Sequence, residues 1–350
     1  MKDSTRDIAI NIVKSYLSFV DKAYHNMEHA KFVVDNALDL AEEEGLSDNE
    51  MKLVEISSWY HDIGHIFGNE EHEEKSAKIA KDNLEALDVN DQDILRITRA
   101  IRATNYPQDY QSDSVAQVVA DADLVTVGQS YDKFYRNHTK AYHEFDLDMT
   151  PREWVIEFGI PRLESQTYMT DTAIEKYQSQ IITNLKRHRD LINNGPAKVL
   201  VGGTFDMIHA GHKELLRTAF GYGNPTIGLT SDELANESRE RTLKPYNERY
   251  EILNREASRI SNRYNREFEI VKLTSKEDVS TSEEADIIVI SPEPKTKKRV
   301  DSINKKRIDN GLDELEVIVS DEVYAYDGNR ISSTRIRNNE IEPDGENIRF

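Results

Sequence analysis

Residues 198–212, KVLVGGTFDMIHAGH, constrain the chain more than any other stretch. Lys198 to Val201 is an apolar run too short for a helix before Gly202 and Gly203 break it, which predicts a central strand of a parallel sheet. A loop, Thr204 to Ala210, follows. From Gly211 the residues Leu215, Leu216, Ala219 and Phe220 share one helical face, and Gly221 and Gly223 fit a C-terminal cap. Strand, glycine loop and helix start make an anion site, because the first N–H groups of a helix lack internal partners and its positive dipole end faces the loop. His209 and His212 stand there at an H-x-G-H spacing.

Beyond this stretch, strand and helix patterns alternate. PTIGLTSD, a helix around 246–260, FEIVKL, ADIIVIS, a helix around 297–309 and LEVIVS follow in turn. That order predicts a Rossmann-like α/β domain, a parallel sheet with helices on both faces whose ligands bind outside the carboxyl ends of the strands. The loop carrying GGTFDMIHAGH then stands at the mouth of the sheet, and ISSTRIR, Ile331 to Arg337, is expected to face it. Ser332, Ser333 and Thr334 at a helix start, followed by Arg335 and Arg337, suit a triphosphate tail. Alone, such hydroxyls are ordinary N-caps; the pairing with H-x-G-H favours the functional reading.

The first half has a different character. Residues 30–43 and 76–87 carry apolar residues three and four apart, and no alternating strand is evident before Asn193. Asn193, Asn194, Gly195 and Pro196 stop the last helix, so the expected division is an all-α domain over 1–194, an α/β domain over 198–341 and a tail over 342–350. A chain of 350 residues can bury two such cores. The start, MKDSTRDIAINIVKSYL, reads as an amphipathic helix instead of a signal peptide, and no apolar run has membrane-spanning length, so a cytoplasmic protein without a membrane partner is expected.

Acidic residues outnumber basic ones by 65 to 45, a net charge of −20 that argues against a broad nucleic-acid face and for small-molecule partners. A homo-oligomer is compatible with this composition. With no cysteine, any metal must be held by His, Asp or Glu. Three places in the helical half offer such ligands: YHNMEHA with His25 and His29 four apart on one face of a continuing helix, WYHDIGH with His61, Asp62 and His65, and VVADADLV with Asp123. Isolated helical histidines are usually structural, but three clusters on separate helices can aim ligands at one point. His138, His143 and His188 have no evident partners and read as structural.

The pattern H, then HD, then D resembles that of the HD superfamily of metal-dependent phosphohydrolases, over roughly residues 20–130. The resemblance implies a divalent metal such as Mn²⁺, Mg²⁺ or Fe²⁺ on His29, His61, Asp62 and Asp123, with His25 as the proton donor to a leaving oxygen. GNEEHEEKSA is similar to the NE-x-x-S-A stretch of other HD hydrolases, with His72 where those have asparagine. It makes Glu73 a candidate for orienting the attacking water, beside the plain reading of a solvated acidic turn. Alternatively His65 and His72 complete a second metal site, as in di-iron HD oxygenases.

HxGH and ISSTRIR together resemble the signatures of the nucleotidyltransferase superfamily. VGGTFDMIHAGHK, GLTSDE, KPYNER, ISPE and ISSTRIR look most like the archaeal and eukaryotic type of phosphopantetheine adenylyltransferase, a likeness covering nearly all of 198–341. It implies AMP transfer from ATP, with Mg²⁺, to 4'-phosphopantetheine. His209, His212 and Lys213 are then catalytic; Gly202, Gly203, Thr204, Phe205, Asp206, Ser332, Ser333, Thr334 and Arg337 bind nucleotide and phosphate; Lys244 and Arg249 orient the acceptor. The alternative is a cytidylyltransferase of a polyol phosphate with the HD half as a nucleotide sensor; KPYNER and ISPE speak against it.

Overall fold

The computed structural model describes residues 1–105, 113–145, 147–236, 243–275, 280–281 and 284–346. Among these the chain divides into two units, Met1–Arg189 and Asp190–Phe350, each with its own core. The first is helical: α1 (Asp3–Leu17), α2 (Met27–Glu43), α3 (Asp48–Tyr60), α4 (His72–Ala86), α5 (Asp91–Arg102), α6 (Ser114–Leu124), α7 (Tyr131–Phe145), α8 (Pro151–Trp154), α9 (Ile160–Ser165) and α10 (Asp171–Asn194). No helix among the described residues is long and apolar enough to cross a membrane.

The amphipathic stripes locate the core. In α2, Ala30, Val33, Val34, Ala37, Leu40 and Ala41 are buried, the three-and-four spacing of a single face. In α6, Val115, Ala116, Val118, Val119, Ala120, Ala122 and Leu124 are all buried. A helix apolar all round belongs at the centre, and α6 is packed by α2, α3 and α5. Asp123 thereby comes up beside the start of α2 and the end of α3. A capping box between Ser47 and Glu50 fixes where α3 starts.

Past α3 a tight 3₁₀ turn, Ile63–Phe67, docks directly on α4. A Cβ on Gly64 would lie 2.0 Å from the His72 carbonyl oxygen, so only glycine allows this approach, and Gly64 N–H donates to Ser76 Oγ at 2.8 Å. His25 and His29 do not share a helix as the spacing predicts. Asn26 is extended and its side chain accepts from the N–H groups of Glu28 and His29, so α2 starts at Met27 and His25 precedes it.

The second unit comprises β1 (Ala197–Gly203), α11 (Ala210–Tyr222), β2 (Gly223–Thr230), α12 (Asp232–Asn236), α13 (Tyr246–Tyr264), β3 (Glu269–Leu273), β4 (Ile287–Ile290), α14 (Pro294–Asp309), β5 (Glu316–Val319) and α15 (Ser333–Arg337). All five strands are parallel in the order β3-β2-β1-β4-β5, with Val201 opposite Ile227 on one side and Val289 on the other. Chain direction across the sheet reverses at β1 and β4, where such sheets open a crevice at their carboxyl ends. On one sheet face Leu200, Ile288 and Ile290 pack against Val300 and Ile303 of α14.

Gly223 does follow α11, but not as a left-handed cap: its φ of 176° is extended and it begins β2 at once. Glycine is needed there because a Cβ would sit 2.0 Å from the Ala197 carbonyl oxygen. Residues 342–346 pack back onto the unit, with Ala210 N–H donating to the Pro343 carbonyl at 2.8 Å and Tyr326 N–H to that of Gly345 at 2.9 Å. The remaining four residues of the expected tail, 347–350, lie outside the described residues.

Asp121 and Asp123, two residues apart on α6, have different partners. Asp121 is fully buried and accepts from the N–H groups of Met169 and Thr170 and from Thr170 Oγ, anchoring the segment before α10. Replacing Asp121 with alanine strands buried donors, which costs about 2–4 kcal/mol. The expected outcome is a clearly lower melting temperature with unchanged metal content per folded chain; an unchanged melting temperature would show that the anchor contributes nothing.

Two candidate active sites

In the helical unit, four elements converge on Asp62. Its Oδ2 lies 3.2 Å from His29 Nε2 and 3.1 Å from His61 Nε2, while Asp123 Oδ1 lies 3.6 and 3.5 Å from the same two nitrogens. Ligand atoms of His29, His61, Asp62 and Asp123 all fall within 4.8 Å of one another. His61 Nδ1–H donates to the Ser58 carbonyl at 2.7 Å, so its Nε2 carries the lone pair. His29 Nε2 and His61 Nε2 are both buried with no hydrogen-bond partner. Two imidazole lone pairs and two carboxylates out of water fit a divalent cation, and the four residues expected from the sequence are the four that meet. Burial alone would lower His29 and His61 and raise Asp62 and Asp123, but the two carboxylates lift both imidazoles above the ordinary value and the imidazoles hold both carboxyls below theirs, so the site favours positive charge at its centre.

His25 faces the same carboxylate from the other side, its Nε2 at 4.0 Å from Asp62 Oδ2. Its Nδ1–H donates to Glu144 at 2.6 Å, and Glu144 also accepts from the N–H groups of Tyr24 and His25. Burial would raise the Glu144 carboxyl, but His25 and these N–H groups hold it below the usual carboxylate range. Sequence reasoning missed Glu144, because nothing marks one acid on α7 as the partner of a histidine 119 residues away. Glu73 lines the same cavity, with Oε1 3.2 Å from His72 Nε2.

That cavity, about 410 Å³, runs from the carboxylates and histidines to an aromatic wall of Phe134, Phe145, Trp154 and Phe158. Trp154 and Phe158 stack at 4.4 Å, and Arg162 stands at the same end. His138 lines it as well, whereas His188 is packed in the aromatic cluster behind it and bonds the Tyr131 hydroxyl. The tyrosine-rich face of α7 accordingly serves packing, and its Phe134 and Phe145 serve the cavity.

In the α/β unit, a cavity of about 360 Å³ opens at the switch point between β1 and β4. Gly202, Gly203, Thr204, Phe205, Asp206, His209 and His212 line one side; Ser332, Ser333, Thr334 and Arg337 line the other. The two predicted motifs therefore face each other. His209 caps α11, its Nδ1 accepting from His212 N–H at 3.3 Å, so in the neutral ring Nε2 carries the proton. His212 is the reverse: Nδ1–H donates to the Met207 carbonyl at 3.0 Å and Nε2 is bare. The two rings stack at 3.8 Å. Burial pushes His209 down to about 3, with His212 and Arg330 adding to it, and pushes His212 down to about 4.

The cations divide differently from expectation. Arg249 is fully buried and its guanidinium is consumed by the Lys244 and Thr204 carbonyls, Thr230 Oγ and Asp232, so it clamps the loop and does not line the cavity. Lys244 pairs with Glu248 at 2.8 Å, and neither it nor Lys213 lines the cavity. Arg335 is likewise spent on Asp327, Glu340 and two carbonyls. Arg337 does reach the cavity, held at 2.9 Å by Asp206, and Arg330, which the motif does not include, lines it too. Asp206 also accepts from Lys244 N–H, so it ties its own loop to the segment before α13 and to α15.

A second cavity of about 330 Å³ adjoins this one, sharing Gly202, Gly203, Thr204, Leu215, Ser291 and Glu293 and continuing past Gly228, Leu273 and Ile290 to Arg299 and Ile303 of α14.

Comparison with known proteins agrees with this division. A family model described as cytidylyltransferase-like matches residues 200–339, and one described as an HD domain matches residues 26–128. The phosphopantetheine adenylyltransferase of Archaeoglobus fulgidus is 38% identical over 147 residues, 41% of this chain and 95% of that relative. A bifunctional phosphopantetheine adenylyltransferase/NTP phosphatase of Thermoplasma acidophilum is 40% identical over 151 residues, 43% of this chain and 44% of that relative, so the chain spans less than half of that protein's length. A predicted HD superfamily hydrolase from an uncultured Thermotogales bacterium, a solved structure, is similar at 19% identity and a TM-score of 0.34, over 53% of this chain and 88% of that one.

The tautomers make a prediction. A phosphate oxygen can accept from neutral His209 Nε2–H, but His212 Nε2 can donate only after taking up a proton, so a bound anion must raise His212 from about 4 toward the ordinary 6.5 or above. In the free protein ¹⁵N spectra should show both rings neutral at pH 6, on opposite nitrogens, with added pyrophosphate protonating one. Free rings that titrate near 6.5 and ignore pyrophosphate would refute this. The unfolded chain takes up these protons near pH 6.5 and the folded one only near 4 and 3, so this unit also loses stability as pH falls through that window.

Proposed function

We propose, from the premise that the chain belongs to the phosphopantetheine adenylyltransferase family through its α/β unit, that this unit joins ATP and 4'-phosphopantetheine into dephospho-CoA and pyrophosphate. The observation that carries the reading is the meeting of the H-x-G-H loop and the ISSTRIR turn across one cavity that continues into a second. An oxygen of the acceptor phosphate attacks the α-phosphorus of ATP, the bond to the bridging oxygen breaks, and pyrophosphate leaves with the electron pair. No protein nucleophile is required. His209 Nε2–H and protonated His212 face the charge that builds on the α-phosphate, while Ser332, Ser333, Thr334, Arg330 and Arg337 hold the leaving pyrophosphate, with Mg²⁺ accompanying the nucleotide. The second cavity takes the pantetheine arm. Arg299, which lines it, meets the acceptor phosphate in place of Lys244 and Arg249.

The helical unit is proposed to hydrolyse a phosphoester or nucleotide. Its ligands His29, His61, Asp62 and Asp123 fit a divalent ion, which when bound supplies an activated water and a polarised phosphoryl oxygen. His25, held by Glu144 through Nδ1–H, donates to the leaving oxygen from Nε2 in its doubly protonated form, and Glu73 faces the water. The aromatic wall and Arg162 suit a substrate with a flat apolar part beside its phosphate.

The two chemistries separate by mutation. His212→Ala is expected to lower pyrophosphate release from ATP and phosphopantetheine by about 10²–10³-fold while leaving Mn²⁺-dependent hydrolysis intact. Asp123→Asn should do the converse. Turnover of CTP with a polyol phosphate, and none of ATP with phosphopantetheine, would overturn the acceptor assignment; a full-length chain that binds nucleotides but hydrolyses none would make the helical unit a sensor.

A further inference from the structure

We propose that the solvent face of α14 is an electrostatic guide that draws the anionic acceptor into the second cavity, with Lys298, Lys305 and Lys306 as positioning residues that act without touching the substrate. The inference rests on reading that cavity as the acceptor's. The chain carries a net charge of −20, yet α14, PKTKKRVDSINKKRID, has seven basic residues against two acidic ones. Its first turn has no acidic residue, although a helix start favours acids, so the basic residues that open the helix oppose its dipole instead of serving it.

The helical period sorts these residues. Thr296, Arg299, Val300 and Ile303 line the second cavity and Arg307 is buried behind them, donating to the carbonyls of Asp313, Ser280 and Ala285. Lys298, Lys305 and Lys306 are exposed. Lys306 lies two turns on from Arg299 along one flank, and Lys298 and Lys305 hold the adjoining strip. By the same period Asp301 falls on the flank opposite Arg299, and Asp309 is the acid nearest the strip. At about 1.5 Å per residue, roughly 10 Å of helix separates Arg299 from Lys306. That is about one Debye length at 0.1 M salt, so the lysines still act on the cavity rim while more distant acidic surface is screened from it.

The two cavities differ in what an anion meets. Asp206, Glu293, Asp321 and Glu322 line the first, and both of its arginines are paired with carboxylates: Arg337 with Asp206 at 2.9 Å, Arg330 with Glu293 at 3.5 Å and Glu322 at 3.9 Å. A nucleotide tolerates such a rim because it carries Mg²⁺ with it. The acceptor phosphate arrives without a cation. Lys244 and Arg249 are engaged elsewhere, and among the described residues lining the second cavity Arg299 stands against Glu293. The attraction that brings the acceptor in must therefore come from beyond the lining, and α14 is the wall that continues outward as a basic surface. Such a field raises the local concentration of an anion and its rate of encounter without altering the chemical step.

The test is the initial rate of pyrophosphate release by the full-length protein at saturating ATP and Mg²⁺, with 4'-phosphopantetheine varied, from about 0.01 to about 0.15 M salt. The net charge of −20 alone makes kcat/KM for the acceptor rise with salt as repulsion is screened; the guide makes it fall. Lys298→Gln, Lys305→Gln and Lys306→Gln together should lower that kcat/KM about tenfold at the low end and flatten or reverse its slope, with kcat, the KM for ATP and the melting temperature unchanged. Because Lys306 also favours the C-terminal end of the helix, Lys298→Glu alone is the second variant, expected to move kcat/KM the same way by a smaller factor. A kcat/KM that rises with salt in the unaltered protein, or a triple variant that follows the unaltered curve, would overturn the guide while turnover persists. A fall in kcat or in melting temperature that accounts for the loss would make the lysines structural and overturn it equally. No pyrophosphate release by the unaltered protein would remove the acceptor reading, and the guide with it.

Discussion

An imidazole has two nitrogens and one proton to divide between them, and both sites depend on how that proton is pinned. His61, His65, His72 and His25 give Nδ1–H to Ser58, Asn69 twice and Glu144, and His212 gives it to Met207. In every case the chain spends one nitrogen on its own scaffold and keeps Nε2 for the cavity. His209, which accepts on Nδ1 as a helix cap, presents an N–H instead. A buried polar atom left without a partner costs about 1–3 kcal/mol, so the unpartnered Nε2 atoms of His29, His61 and His65 are a cost the folded chain bears for a ligand.

Carboxylates act as the complementary hubs. Asp62 joins the end of α3 to the starts of α2 and α4, and Asp206 ties the loop after β1 to the segment before α13 and to Arg337. Arg249 reinforces the second hub by holding the Thr204 carbonyl from beneath. Because these ties run between segments far apart in the chain, each cavity is shaped before any substrate enters, as electrostatic catalysis requires.

Patterns that are local in sequence were legible. The parallel sheet, the three ligand-bearing stretches that supply His29, His61, Asp62 and Asp123, and the facing of GGTFDMIHAGH by ISSTRIR follow from periodicity, from glycine punctuation and from residue types that have few other uses. What escaped was long-range or conditional. Arg249 looks like a surface cation because its burial depends on loops 17 and 45 residues away supplying acceptors. Glu144 and Asn69 act only through histidines brought to them by folding, and Gly223 owes its identity to a close approach of β1, not to the helix it ends. His25 broke the helical spacing because the Asn26 cap competes successfully with one more turn.

The sheet itself explains why the transferase cavity is double. Gly202 and Gly228 are direct partners in the register of β1 and β2, so two adjacent strands present a floor without side chains. Leu273 closes over that floor, since a Cβ on Gly228 would come within 2.6 Å of it, and α14 walls the far side. A larger residue at Gly228, which lines the second cavity and not the first, would run into Leu273 and narrow the second cavity. In the proposed reaction the acceptor lies on this glycine floor and the nucleotide lies over the histidines. They meet where the cavities share Gly202, Gly203, Thr204, Leu215, Ser291 and Glu293, and there the glycine backbone lets two phosphates approach for an in-line displacement.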